Sequence, residues 1–291
     1  MYVAIRCDVL RSGGYPNLVE GLEAVGLDSL EVSVGRDRAV RRLVPKGDQE
    51  KLVLDSAGAV KEWGGEYERY GVKMCAFLLA NDFNAPDMGT MMEWVVWASR
   101  LAAEVGVTAI RIDSAMTGQH DLPLEQRIAL FVRRARELVE ATAGTGVSFG
   151  VENHGRQGND PVWRQAVIDG VGSPRFGYTM DTGNFYWAGH PLSRVYEILE
   201  QFAPWARHTH VKNINYPPET REVQRELGWQ YGKYVSPIYE GDIDHRRVAE
   251  ILQRAGYQGS LCIEDESLGH FEEAERRVVL KKDAQYLKSL V

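Results

Sequence analysis

The sequence is poor in cysteine. Cys7, Cys75 and Cys262 are the only three in 291 residues, widely spaced and with no C-x-x-C pair. That argues against a disulfide framework. Each lies in an apolar run, so reduced, buried, structural thiols of a cytoplasmic protein are expected. Long apolar runs are also missing. No stretch approaches the roughly 18 residues of a membrane-spanning helix, and the start lacks a secretory charge-then-apolar pattern, so no membrane partner is expected. Positive charge is in deficit: 34 Lys and Arg face 41 Asp and Glu, a net charge of −7. An acidic chain repels phosphate backbones, and the one short basic run, "VRRAR" at 132–136, lies in a helical pattern as a solvated face, so no nucleic-acid partner is expected. No long Pro/Gly/Ser linker interrupts the chain, and residues 1–291 read as one domain.

What is present is ordinary for a globular protein: 44% hydrophobic residues, with seven Trp and thirteen Tyr to build a core. Eight short apolar segments recur, at 2–9, 29–34, 72–79, 107–114, 147–154, 176–183, 206–213 and 260–267. Glycines at 26, 71, 106, 146, 256 and 259 precede several of them, where a helix-to-strand turn expects glycine. Helical periodicity fills 88–106, 123–144, 192–203, 244–256 and 270–291. Strand-helix alternation implies a parallel sheet, and eight units in this length predict an α/β fold of the (β/α)8 TIM-barrel type. A doubly wound open sheet is the runner-up. One connection breaks the rhythm. Residues 214–240, after the seventh strand, are long and rich in Tyr, Trp, Pro and Lys. Such a loop in a compact domain reads as functional, and in a barrel it lies on the C-terminal face.

The strand ends are where the chemistry is written. The fifth segment ends in Glu152, the sixth in Asp181, the seventh in His208 and His210, the eighth in Glu264. Each has a plain reading alone. Glu152 suits a salt bridge or cap, Asp181 an Asx-turn with Thr182 and Gly183, and a histidine a satisfied core position. Together, three carboxylates and an imidazole at matching ends of four consecutive strands repel unless a cation balances them. That donor set suits Mn²⁺, Mg²⁺, Co²⁺ or Zn²⁺. His208 and His210 share a strand face; His210 lies nearer the C-terminal end and is expected as the ligand, with His208 one layer down as a hydrogen-bond partner.

The motifs "VENHG", "DTGN…AG", "HTHVK" and "EGDIDHRRVAEILQRAGYQGSLCIEDE" resemble the xylose isomerase-like TIM-barrel superfamily, and within it the sugar phosphate isomerase/epimerase group that includes ketose 3-epimerases. The resemblance covers essentially the whole chain and is strongest from residue 147 onward. It implies one divalent metal ion, Mn²⁺ foremost, held by Glu152, Asp181, His210 and Glu264. It also implies that Glu152 and Glu264 act as a catalytic pair on opposite faces of a carbohydrate substrate, through a metal-stabilised enediolate. Pairing into a homodimer or homotetramer is a further implication. The chain departs from the ketose epimerases in two places: Asn184 stands where they carry a histidine, and Lys212 and Asn213 stand where they carry an arginine. Substrate recognition is therefore expected to differ. His154, Arg156, Asn184, Lys212 and Trp229 are its candidate residues, with Lys233 and Tyr234 beside Trp229 in the long loop.

The leading expectation is a divalent-metal-dependent isomerase or epimerase of a sugar, keto-sugar or polyol. A lyase or dehydratase would use the same site. A DNA-repair nuclease of this fold needs several zinc ions and further histidine ligands, and His120, His190, His245 and His270 form no evident cluster. A non-catalytic sugar-binding protein has no need to gather three carboxylates.

Overall fold

The computed structural model describes residues 1–118 and 121–291. Among them lie twelve strands: β1 (Tyr2–Arg6), β2 (Ser29–Ser33), β3 (Ala39–Lys46), β4 (Gln49–Val53), β5 (Lys73–Leu78), β6 (Ala109–Ile112), β7 (Ser148–Glu152), β8 (Phe176–Asp181), β9 (Ala206–His210), β10 (Asn213–Ile214), β11 (Val235–Ser236) and β12 (Ser260–Ile263). Eight of these pair in parallel in the order β12-β1-β2-β5-β6-β7-β8-β9. The two end strands meet just past β9. Val211 bridges Ile263, its N–H donating to the Cys262 carbonyl at 2.8 Å, and Glu264 N–H donates back to the Val211 carbonyl at 2.9 Å. The sheet thus closes on itself, and the (β/α)8 barrel expected from the alternation is the fold. The open-sheet alternative falls, because it would leave the last strand on an edge.

The helices that wrap the barrel begin and end for local reasons. Asn17, Ser56 and Asp160 accept hydrogen bonds from the N–H groups of Glu20, Ala59 and Val162, satisfying first-turn donors. Gly26 and Gly71 close their helices at φ 72° and 64°, a left-handed conformation that residues with a Cβ avoid. The buried faces point to the barrel wall. Phe131 of helix Leu124–Ala141, for example, packs on Trp163 and Phe176 with ring centroids 4.9 and 6.2 Å away.

Four features differ from the sequence-based expectation. The first strand stops at Arg6, and Cys7–Ser12 is helical; Cys7, Val9 and Leu10 are all buried, a spacing a strand cannot bury on one face. A β3–β4 antiparallel hairpin follows β2, largely solvated along β4 and so without an apolar alternation to announce it. Cys75 is only half-buried, unlike Cys7 and Cys262; all three are free thiols. The long connection at 214–240 is also more ordered than a bare loop. β10 pairs with β11, and a short helix, Tyr231–Tyr234, lies between them. No helix among the described residues is long and apolar enough to cross a membrane.

β8 and β9 approach so closely at Gly177 that a Cβ there would lie 2.1 Å from the Trp205 carbonyl oxygen. A backbone atom cannot yield as a side chain can. Gly177→Ala should therefore cost about 2 kcal/mol of stability, as overpacking typically does. Urea denaturation checks this, and an unchanged midpoint would contradict it.

Candidate metal centre

Glu152 and Asp181 are the last residues of β7 and β8, His210 is the last of β9, and Glu264 follows β12 directly. All four are at most 4% exposed. One donor atom from each falls within 4.8 Å of the donors of the other three. Asp181 shows how the backbone aims them. Its Oδ1 accepts from the N–H groups of Gly183 (2.8 Å) and Asn184 (2.7 Å), so the Asx-turn is real, while Oδ2 accepts no hydrogen bond among the described residues. Asn153 fixes the register of the two strand ends. Its Oδ1 accepts from Asp181 N–H at 2.8 Å and its Nδ2 donates to the Asp181 carbonyl at 2.9 Å.

His210 is held from both sides. Nδ1 lies 2.9 Å from Glu152 Oε1 and 3.3 Å from Glu264 Oε2, and Nε2 lies 2.8 Å from Glu31 Oε1. The same Glu31 oxygen takes His208 Nε2 at 2.9 Å. His208 therefore hydrogen-bonds into the cluster through Glu31, and its ring also packs edge-on against that of His210, centroids 5.4 Å apart. Burial disfavours the imidazolium, but the charges of Glu31 and Glu152 outweigh it and raise His210 to about 9. His208 is lowered by burial. Glu31, which burial alone would raise, is held far below the usual carboxylate range by the two histidines. Glu31 escaped the sequence reading, which considered the final four strands only. Its signal was there: a charged residue inside the buried segment "SLEVSV" needs a partner.

Three cations from other strands and loops complete the electrostatics. Arg6, ending β1, pairs with Glu264 and stands 3.4 Å from Glu31 Oε2. Arg111 of β6 pairs with Glu152 and donates to Asp113 Oδ2 at 2.6 Å and the Leu79 carbonyl at 3.0 Å. Lys212 Nζ sits 3.1 Å from Asp181 Oδ2, 3.1 Å from Glu264 Oε2 and 3.0 Å from Glu266 Oε1. Glu152, despite burial, is held well below its ordinary value by Arg111 and His210, and burial raises Asp181 against the pull of Lys212. Five buried carboxylates (Glu31, Asp113, Glu152, Asp181, Glu264) and the more exposed Glu266 thus face three permanent cations and His210, which its raised pKa keeps as an imidazolium at neutral pH, leaving an excess of two negative charges. Among the described residues, Asp181 Oδ2, Glu264 Oε2 and Glu31 Oε2 accept no hydrogen bond. Excess negative charge, carboxylate oxygens met only by ion pairs to Lys212, Arg6 and His210, and an O₃N donor set fit a divalent cation.

The candidate recognition residues separate into two groups. Lys212 lies inside the cluster, against Asp181 and Glu264 themselves. His154 stands at its rim, half-exposed, with Nδ1 2.8 Å from Asp113 Oδ1, and that hydrogen bond raises its pKa. Asn184 contributes its backbone N–H to Asp181. The others lie apart. Arg156 is exposed and lines a depression of ≈ 390 Å³ with Met116, Trp187 and Leu227. Trp229 stacks on Tyr234 at 5.8 Å and packs on Tyr216, with Lys233 over the Tyr234 ring, so these residues pack the loop. Asn213 is turned away from the cluster; its Nδ2 donates to the Ile238 and Ile243 carbonyls, and it staples the loop shut. The loop reaches the site through Tyr231, whose hydroxyl donates to Glu266. His190 packs on Phe185, His245 meets Thr182 Oγ1 at 3.1 Å, and His270 bonds the Gly232 carbonyl at 2.8 Å, so none joins the cluster. His120 lies outside the described residues.

A carboxylate behind a ligating imidazole fixes its orientation and basicity. Glu31→Gln should therefore weaken divalent-cation affinity by about 10- to 100-fold with the fold intact, read by calorimetric titration. Equal affinity in variant and parent would refute the role given to Glu31.

Comparison with known proteins bears on the fold. An inosose dehydratase of Yersinia enterocolitica is 30% identical over 90 residues, a stretch covering 30% of this chain and only 30% of that protein. A solved structure of the IOLI protein with a zinc atom bound superposes with a TM-score of 0.72 at 15% identity, over 99% of this chain and 98% of that one. A D-tagatose 3-epimerase-like protein does so with a TM-score of 0.66 at 18% identity, over 99% and 98%. At these identities the likeness is one of fold. The family described as xylose isomerase-like TIM barrel matches residues 19–290, and the chain belongs to that family.

Proposed function

We propose that this protein is a divalent-cation-dependent isomerase or epimerase that moves a proton at the carbon beside a carbonyl of a sugar, keto-sugar or polyol. The observation that carries the reading is the convergence of Glu152 and Glu264 with Asp181 and His210 on one buried point at the C-terminal mouth of the barrel. Glu152, Asp181, His210 and Glu264 would hold the cation, Mn²⁺ first among Mn²⁺, Mg²⁺, Co²⁺ and Zn²⁺. When bound, it would supply Lewis-acid polarisation of the substrate carbonyl.

The proton traffic falls to the two glutamates. Glu152 is kept ionised by Arg111 and His210, so it is in the form that can accept a proton at neutral pH, while the same two cations weaken it as a base. Glu264 is balanced by Arg6 and Lys212. One, as the carboxylate, takes the proton from the carbon, and the other, having taken up a proton from solvent, gives it to the opposite face, inverting the centre. Lys212, between Asp181 and Glu264, neutralises charge that would otherwise repel an electron-rich substrate. The Tyr231–Glu266–Lys212 chain ties the long loop to this edge of the site.

A second reading, dehydration, is favoured by the inosose dehydratase similarity and by the His154–Asp113 pair at the rim. There a glutamate takes the α-proton, the C–O bond of a β-hydroxyl breaks, and His154 gives the departing hydroxyl a proton, releasing water. The pair is built for that role: Asp113 orients the ring, and half of the imidazole faces out of the protein.

Glu152→Gln and Glu264→Gln should each lower turnover by about 10²-fold or more with circular dichroism unchanged. Wild-type turnover in either variant would end the acid/base assignment. Running candidate ketoses in deuterium oxide separates the two outcomes. Isomerisation or epimerisation incorporates deuterium at the reacting carbon with the carbon skeleton and its hydroxyls retained, whereas dehydration releases one water and is slowed selectively by His154→Ala.

A further inference from the structure

One layer below the carboxylate cluster, the barrel interior carries donors of a different chemical character. Sulfur atoms of Cys75 and Cys262 and a ring nitrogen of His208 lie within 4.8 Å of one another. They come from three strands, β5, β12 and β9. Strand alternation places Cys262 on the interior face of Glu264, and His208 on that of His210, each one layer deeper. Cys75 is delivered by an irregularity. The β2–β5 register shifts between Leu30 and Glu31, which pair with Met74 and Ala76, so Cys75 has no partner across the ladder. Such bulges re-aim the side chain they carry.

The histidine is already oriented for ligation. Its Nε2 is engaged by Glu31 Oε1 at 2.9 Å, so Nδ1 is the nitrogen left for the thiols; its nearest hydrogen-bonding neighbour there is Ser260 Oγ at 3.4 Å. A carboxylate behind an imidazole is the arrangement that fixes a metal-bound histidine. One of the three donors is reached from a surface cleft. Cys75 is half-buried and lines a cleft of ≈ 1150 Å³ that also touches Tyr2, Tyr67 and Thr108, away from the carboxylate mouth. The third cysteine takes no part: Cys7 Sγ faces Ser33 Oγ at 3.9 Å.

We propose that Cys75, Cys262 and His208 form a second cation site, of soft S₂N character, for a thiophilic ion such as Zn²⁺. Two thiols and an imidazole select such ions, whereas the oxygen-rich set above them suits harder ones. Each thiol loses its proton to solvent as a metal–sulfur bond forms, so two thiolates cancel a dication and the filled site adds no net charge to the barrel interior. Glu31 joins the two layers, because one of its oxygens contacts both His208 and His210.

The test uses the full-length, reduced protein with Mn²⁺ supplied first and Co²⁺ then titrated as a spectroscopic stand-in for Zn²⁺. One equivalent of thiolate-to-cobalt charge-transfer absorption is expected, bleached by added Zn²⁺. It should vanish in Cys75→Ser and Cys262→Ser, and persist in Cys7→Ser and in Asp181→Asn. Cys75 is half-buried, so its serine variant reads the site even where Cys262→Ser fails to fold. Absence of the band in the reduced parent protein would overturn the proposal. So would its persistence in Cys75→Ser, or the finding that the two thiols only pair as a disulfide and never bind metal when reduced.

Discussion

Too many carboxylates meet at one end of this barrel for the protein alone to neutralise. Burying an ionised carboxylate costs several kcal/mol unless a counter-charge stands beside it. Arg6, Arg111 and Lys212 each contact two or more of the clustered acids, and they still leave negative charge in excess. Much of the surrounding structure answers to that constraint. Asn153 locks two strand ends together, the turn after β8 spends two N–H groups on Asp181, and Glu31 clamps two histidines beneath the cluster. A fold seeking only stability would place apolar side chains here. Retaining an unbalanced anionic cluster is what a cation-dependent site requires.

The barrel makes the cluster possible by closing. Residues distant in sequence reach one point only because β12 lies between β1 and β9: Arg6 meets Glu264, and His210 meets Glu31. The connection after β9 shapes the rim. Asn213 staples its base, its aromatic residues pack on one another, and Tyr231 is bonded to Glu266 of the cluster.

The barrel was legible because parallel strands buried on both faces read as short apolar runs, and all eight such runs are barrel strands. Glu152, Asp181, His210 and Glu264 were legible because a carboxylate or imidazole ending an apolar strand stands out. The partners were not. Arg6, Glu31 and Arg111 interrupt strands in the first half of the chain, and their roles depend on which strands become neighbours, a tertiary fact. Asp113, Glu266 and Tyr231 gain meaning only through His154, Lys212 and the loop that carries Tyr231. Loop residues were the weakest ground. Trp229 read equally as a residue covering a substrate or as loop packing, and it stacks on Tyr234, because apolar area in a long loop is first used to fold the loop itself.

The most direct test of the central claim is equilibrium binding of Mn²⁺ to the purified chain, compared with Asp181→Asn and His210→Ala. A hard cation reports on the oxygen-rich centre and is blind to soft donors elsewhere. One Mn²⁺ bound per chain, with binding lost in both variants, is the predicted result. No binding by the parent protein, or binding that survives both substitutions, would mean that the four strand ends are a structural charge cluster and not a metal centre.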